Sequence, residues 1–84
     1  MGNLKVVIAD DEERICQLIQ ALINWDSLEM KIAGMAHNGI EAFDVVQKVC
    51  PDILITDIRM PGLSGLELIE KVKAACPEVE IIII

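Results

Sequence analysis

Aromatic side chains make up only 2% of this 84-residue chain, one Trp and one Phe, so its core has to be aliphatic. Basic residues are scarce as well: 7 Lys and Arg face 14 Asp and Glu, and the formal charge of −7 repels nucleic-acid backbones and anionic lipid alike. Direct nucleic-acid binding by this segment is therefore disfavoured, whereas an acidic balance suits a divalent cation. No C-x-x-C pair occurs, and His37 is the only histidine. Neither a zinc site nor a disulfide framework is expected from Cys16, Cys50 and Cys76. Each lies in a helix-like segment and reads as a small buried hydrophobe in a reducing cytoplasm. Apolar runs long enough to cross a bilayer are missing, no stretch resembles a signal peptide, and Val6 stands where a myristoylation motif starting at Gly2 needs Ser or Thr. The chain is accordingly expected to be cytoplasmic and off the membrane. Linkers and low-complexity tracts are absent, so it forms at most one domain.

What is present alternates between two periodicities. Leu4 to Ala9 is a short β-branched run with no helical period, as in a strand buried on both faces, and it ends at Asp10 and Asp11. Ile15, Leu18, Ile19, Leu22 and Ile23 then form a helical stripe, with Glu12 and Glu13 in the first turn, where the helix dipole favours acids. Met30 to Ala36 reads as a second strand at a sheet edge. Asn38 and Glu41 have capping-box spacing before a stripe of Ala42, Val45, Val46 and Val49. Pro51 ends that helix and biases Cys50 toward extended backbone, and Ile53 to Thr56 form a third strand that stops at Asp57. Ser64 and Glu67 open a third helix with Leu68, Ile69 and Val72, closed by Cys76-Pro77 before Ile81 to Ile84. The order helix, Cys-Pro, acid, aliphatic strand occurs twice, as consecutive βαβ units would produce. The fold class is therefore α/β, a parallel sheet with helices on both faces.

In such a sheet, ligands bind beyond the carboxyl ends of the strands where strand order reverses; for the order 2-1-3-4-5 that is between strands one and three. Asp10, Asp11 and Asp57 would converge there. Carboxylates so close either rise in pKa or are neutralised by a cation, and hard oxygen donors select Mg²⁺ or a similar ion. An aspartate left free of the metal can act as nucleophile on phosphorus. Taken alone, Asp10 and Asp11 also fit a helix cap, and Asp57 a turn. Their joint placement favours one site. Trp25 is expected to cap the end of the first helix, His37 to sit in a solvated turn, and Met30, Met35 and Met60 to pack in the interior.

The DDE after strand one and TDIRMPGLSGLEL after strand three resemble the receiver domains of two-component response regulators, over the whole chain. That resemblance implies a flavodoxin-like sheet cut short after strand four, with the fourth helix, fifth strand and fifth helix absent. It makes Asp57 the phosphoacceptor, Asp11 a direct metal ligand, Asp10 a ligand largely through water, and the backbone carbonyl of Arg59 a third protein ligand of Mg²⁺ or Mn²⁺. Met60, Pro61 and Gly62 would shape the turn holding that carbonyl, with Gly65 at the helix start. The implied partner is a sensor histidine kinase whose phosphohistidine supplies the phosphoryl group, and the implied output is transcriptional. NWDSLEMKIAGMAHNGIEA is similar to receivers that precede AraC-type DNA-binding domains. The domain would catalyse its own phosphorylation and dephosphorylation without being a conventional turnover enzyme. The Ser/Thr and Lys that family members carry after strands four and five lie past Ile84, so the alternative is a pseudo-receiver that serves as an interaction or dimerisation module. With one sheet face covered by a single helix and strand four an exposed aliphatic edge, the 84-residue chain is expected to dimerise, swap strands or be unstable. A flavin carrier of this fold would need a Ser/Thr/Gly-rich loop after strand one, and a haloacid-dehalogenase-like phosphatase would need Asp at position 59, which is Arg59.

Overall fold

A computed structural model describes residues 3–84; the readings made at Met1 and Gly2 lie outside them. The elements follow in the order β1 (Leu4–Ala9), α1 (Glu13–Leu22), β2 (Met30–Ala36), α2 (Gly39–Val49), β3 (Ile53–Thr56), α3 (Gly65–Ala75) and β4 (Glu80–Ile83). All strand pairs are parallel, in the order β2-β1-β3-β4, so β2 lies at an edge and β1 and β3 are neighbours. This is the flavodoxin-like arrangement through its fourth strand.

The unbroken apolar run of β1 is explained by its two faces. Val7 and Ala9 point into one cluster with Leu54, Val46, Leu68 and Val72, beneath α2 and α3. Val6 and Ile8 point the other way and meet Cys16 of α1 together with Ile55. A strand buried on both sides cannot alternate apolar with polar residues. The second face has α1 as its helix, and Ile82, Ile83 and Ile84 are each about half exposed along the β4 edge, as expected.

Three local expectations need correction. The stripe assigned to α1 faces the sheet only in part: Ile15, Ile19 and Ile23 are half-buried, but Leu18 is 52% and Leu22 73% exposed, and the fully buried contact is Cys16, which the stripe left out. Cys50 is not extended: it caps α2 in the left-handed region at φ 45°, ψ 67°, its N–H bonded to the Val46 carbonyl at 2.7 Å. The chain has to reverse from α2 into β3 within three residues, and a left-handed C-cap achieves this where an extended residue would not. Cys50 and Cys76 are also not free hydrophobes, since their sulfurs are joined as a disulfide. Cys16 alone is free and buried, and burial raises its thiol pKa.

The helix starts match their signals. Asn38 Oδ1 accepts the Glu41 N–H at 2.7 Å. At α3 the capping box is complete, with Glu67 N–H donating to Ser64 Oγ and Ser64 N–H to Glu67 Oε1, both at 3.2 Å. Ser64→Ala removes one of these bonds and is expected to cost about 1 kcal/mol, read as a lower denaturation midpoint at unchanged slope. Trp25 does close the end of α1, its indole N–H donating to the Gln20 carbonyl at 3.0 Å. Met30, Met35 and Met60 pack against the core clusters. His37 sits in the β2–α2 turn, 3.7 Å from the Glu41 carboxylate.

Candidate metal centre

Two adjacent strands end at the same level, and this registers the acids. Ala9 pairs with Thr56, so the next residues, Asp10 and Asp57, leave the sheet side by side. Backbone bonds hold both: Asp10 N–H donates to Ala36 O and Asp57 N–H to Ala9 O, each at 3.0 Å. The result is one group in which a carboxylate oxygen from each of Asp10, Asp11 and Asp57 lies within 4.8 Å of the others. Asp10 is buried, Asp57 half-buried and Asp11 exposed, so the group is graded from the core outward. Asp10 and Asp57 border a surface hollow completed by Glu12, Ile15 and Ile84.

The Asp10 carboxyl is pushed up from its ordinary range, mainly by burial, with the charges of Asp57 and Asp11 adding to the effect. The Glu12 N–H, donated to Asp10 Oδ1 at 2.9 Å, opposes that rise. Asp10 and Asp11 therefore do not cap α1; the N-cap is Glu12, without a side-chain cap bond. Asp57 Oδ1 accepts the Arg59 N–H at 3.3 Å, which ties the turn to the carboxylate it follows. The buried Thr56 hydroxyl donates to the Asp57 carbonyl at 2.9 Å. Sequence reasoning missed Thr56 and the Glu12 N–H, since neither residue type signals a site on its own.

Two glycines make the turn possible. Gly62 sits at φ 90°, a conformation that side-chain-bearing residues rarely adopt. At Gly65 a Cβ would come within 2.5 Å of Ile58 Cα and 2.8 Å of Ile58 O, so the start of α3 presses directly on the loop after Asp57.

The donor set fits a hard divalent ion. Ligands across a Mg²⁺ at about 2.1 Å lie about 4.2 Å apart, so oxygens this close need only small side-chain motion or a bridging water. Among the described residues the ion pairs are Lys48–Asp44 and His37–Glu41, and no basic side chain neutralises the three acids. Because Asp10 is raised, the folded metal-free chain holds its proton more tightly than the unfolded chain. Metal-free stability therefore falls as pH rises from the ordinary carboxylate range through the raised value, and stays lowered above it. Asp10→Asn is expected to raise the Tm of the metal-free protein at neutral pH and to abolish the further rise that Mg²⁺ gives the native chain, both visible in thermal melts with and without the ion.

A parallel α/β sheet in the order β2-β1-β3-β4, with three acids at the β1/β3 switch point, defines a domain of the flavodoxin-like class. The profile of the response regulator receiver domain matches residues 6–84, and the chain belongs to that family. Receivers bind Mg²⁺ through an acidic pocket of this kind. The chain is 44% identical over 80 residues to the uncharacterised transcriptional regulatory protein YesN of Bacillus subtilis, covering 95% of this chain and 22% of that one. The receiver domain of AraT, a response regulator from Geobacillus stearothermophilus, superposes with a TM-score of 0.92 at 32% identity, over 95% of this chain and 62% of that one. A two-component transcriptional regulator AraC from Clostridium phytofermentans gives 0.90 at 33% identity, over 96% and 63%. The chain thus spans about a fifth of its curated relative and under two thirds of these solved chains. No helix among the described residues is long and apolar enough to cross a membrane.

Proposed function

We propose that Asp57 accepts a phosphoryl group from the phosphohistidine of a sensor kinase, in a site where Asp10, Asp11, Asp57 and the Arg59 carbonyl hold Mg²⁺ or Mn²⁺. The observation that carries this reading is the convergence of the three carboxylates within 4.8 Å at the ends of β1 and β3. The ion's contribution is charge neutralisation on the transferring phosphoryl oxygens. An Asp57 carboxylate oxygen forms the new bond to phosphorus while the P–N bond breaks, and the imidazole leaves with the electron pair. The Arg59 N–H and the Ala9 carbonyl, which accepts the Asp57 N–H, orient Asp57 for that attack. Asp10, buried and fixed by Glu12 N–H, keeps a negative charge aimed at the hollow when a cation is near.

The chain forms the front of a receiver, β1 through β4, which α4, β5 and α5 would complete. Its output is transcriptional, in keeping with the names of its relatives, while this segment, at charge −7, stays off nucleic acid itself. The protein works in the cytoplasm, and a second copy is a partner through the exposed β4 edge or the face that α4, β5 and α5 would cover. The test is incubation of the complete receiver with a small-molecule phosphodonor, with Mg²⁺ or with chelator, followed by intact mass and peptide mapping. One phosphoryl group on Asp57, only with the metal, is expected; an adduct elsewhere, or none, rejects the reading.

A further inference from the structure

The repeated Cys-Pro-acid sequence has no part in the acidic site, and its position explains what it can do. Cys50-Pro51-Asp52 and Cys76-Pro77-Glu78 are equivalent points of consecutive βαβ units. The strands they lead into, β3 and β4, are hydrogen-bonded neighbours, with Glu80 N–H donating to the Asp52 carbonyl at 2.9 Å. Equivalent points of adjacent parallel units fall side by side, and the two Cα atoms are 6.1 Å apart, within the range a disulfide spans with no backbone movement. Cys50 is exposed and Cys76 buried, and both border a surface pocket shared with Asp52 and Glu78. Of the two residues, Cys50 is thus the one nearer solvent, with Cys76 behind it. The pair sits at the amino ends of the strands, opposite the aspartates, and the segment it closes contains β3, Asp57 and α3.

We propose that Cys50 and Cys76 are a thiol–disulfide exchange site, oxidised by low-molecular-weight disulfides to an intrachain bond that staples the segment carrying Asp57. The Cys50 thiolate attacks one sulfur of the reagent, forming a mixed disulfide and releasing one thiolate. The Cys76 thiolate then attacks the Cys50 sulfur and displaces the second. The two protons lost by the cysteines are taken up by the two departing thiolates, so one disulfide is reduced as one is made. Cys16 takes no part: it is buried under α1, its thiol 3.7 Å from the Asp10 carbonyl on the opposite face. Closing the loop restricts the unfolded chain, so the oxidised form is the more stable one.

The experiment titrates thiols under denaturing conditions after the native chain has equilibrated with glutathione disulfide or with dithiothreitol. The reduced chain should present all 3 cysteines and the oxidised chain only Cys16, with its Tm higher by roughly 10 °C or more. Dithiothreitol should reverse both changes. Cys50→Ser, at an exposed position, should show no Tm gain on oxidation, and Cys76→Ser should stop at a glutathione adduct on Cys50. Peptide mapping that finds all three thiols still free, Cys16 in the bond, chains linked to one another, or only glutathione adducts on the native chain overturns the proposal.

Discussion

Replacing Asp57 by asparagine is expected to abolish phosphoryl uptake while leaving the domain folded. The amide keeps the size of the side chain and an oxygen that can accept the Arg59 N–H, so the turn after β3 survives. It lacks the nucleophilic, charged oxygen, and no other residue in the hollow stands where Asp57 does. The same change removes one of three mutually repelling charges, so the metal-free variant should melt no lower than the native chain. Intact mass after phosphodonor treatment reads the first effect and a thermal melt the second. Asp11→Asn separates the roles, because the nucleophile remains and the metal is weakened, so uptake should recover in part at high Mg²⁺. Uptake retained in the Asp57 variant would place the acceptor elsewhere.

Leu54→Ala should have the largest effect on stability. Leu54 is fully buried in the central strand β3, in one cluster with Val7, Val46, Leu68 and Val72, all of them fully buried themselves. Such truncations cost about 2–5 kcal/mol, against a total of about 5–15 for a domain. Most of the stability of so small a chain would go, seen as a large drop in the denaturation midpoint. Leu18→Ala, on the exposed side of α1, should change it by no more than about 0.5 kcal/mol. A similar loss at both positions would mean that α1 is covered by something else.

The elements were legible where a single local signal decides them. Leu4–Ala9, Met30–Ala36 and Ile53–Thr56 are strands with the bounds read from their apolar runs, and Ser64 starts α3 as its capping box requires. The acidic group was legible because two strand ends each carried acids and the parallel order brings those ends together. Where a stripe is wide, periodicity fails to centre it: α1 could have turned Leu18 and Leu22 inward beside Ile15 and Ile19, or Cys16, and only packing chooses. The Cys50–Cys76 pairing depends on which strands become neighbours, a tertiary fact that cysteine spacing does not contain. Pro51 was overruled by the need to reverse direction at Cys50. The bonds from Glu12 N–H and Thr56 hydroxyl come from backbone geometry, which residue identity alone does not reveal.

Everything functional rests on the acids at the ends of β1 and β3 sharing one cation. Titration with Mn²⁺, followed by the loss of its free electron paramagnetic resonance signal, measures that directly. One saturable ion per chain is predicted, competed by Mg²⁺ and lost or strongly weakened in each of Asp10→Asn, Asp11→Asn and Asp57→Asn. Absence of saturable binding in the folded chain, or binding indifferent to all three substitutions, would contradict it.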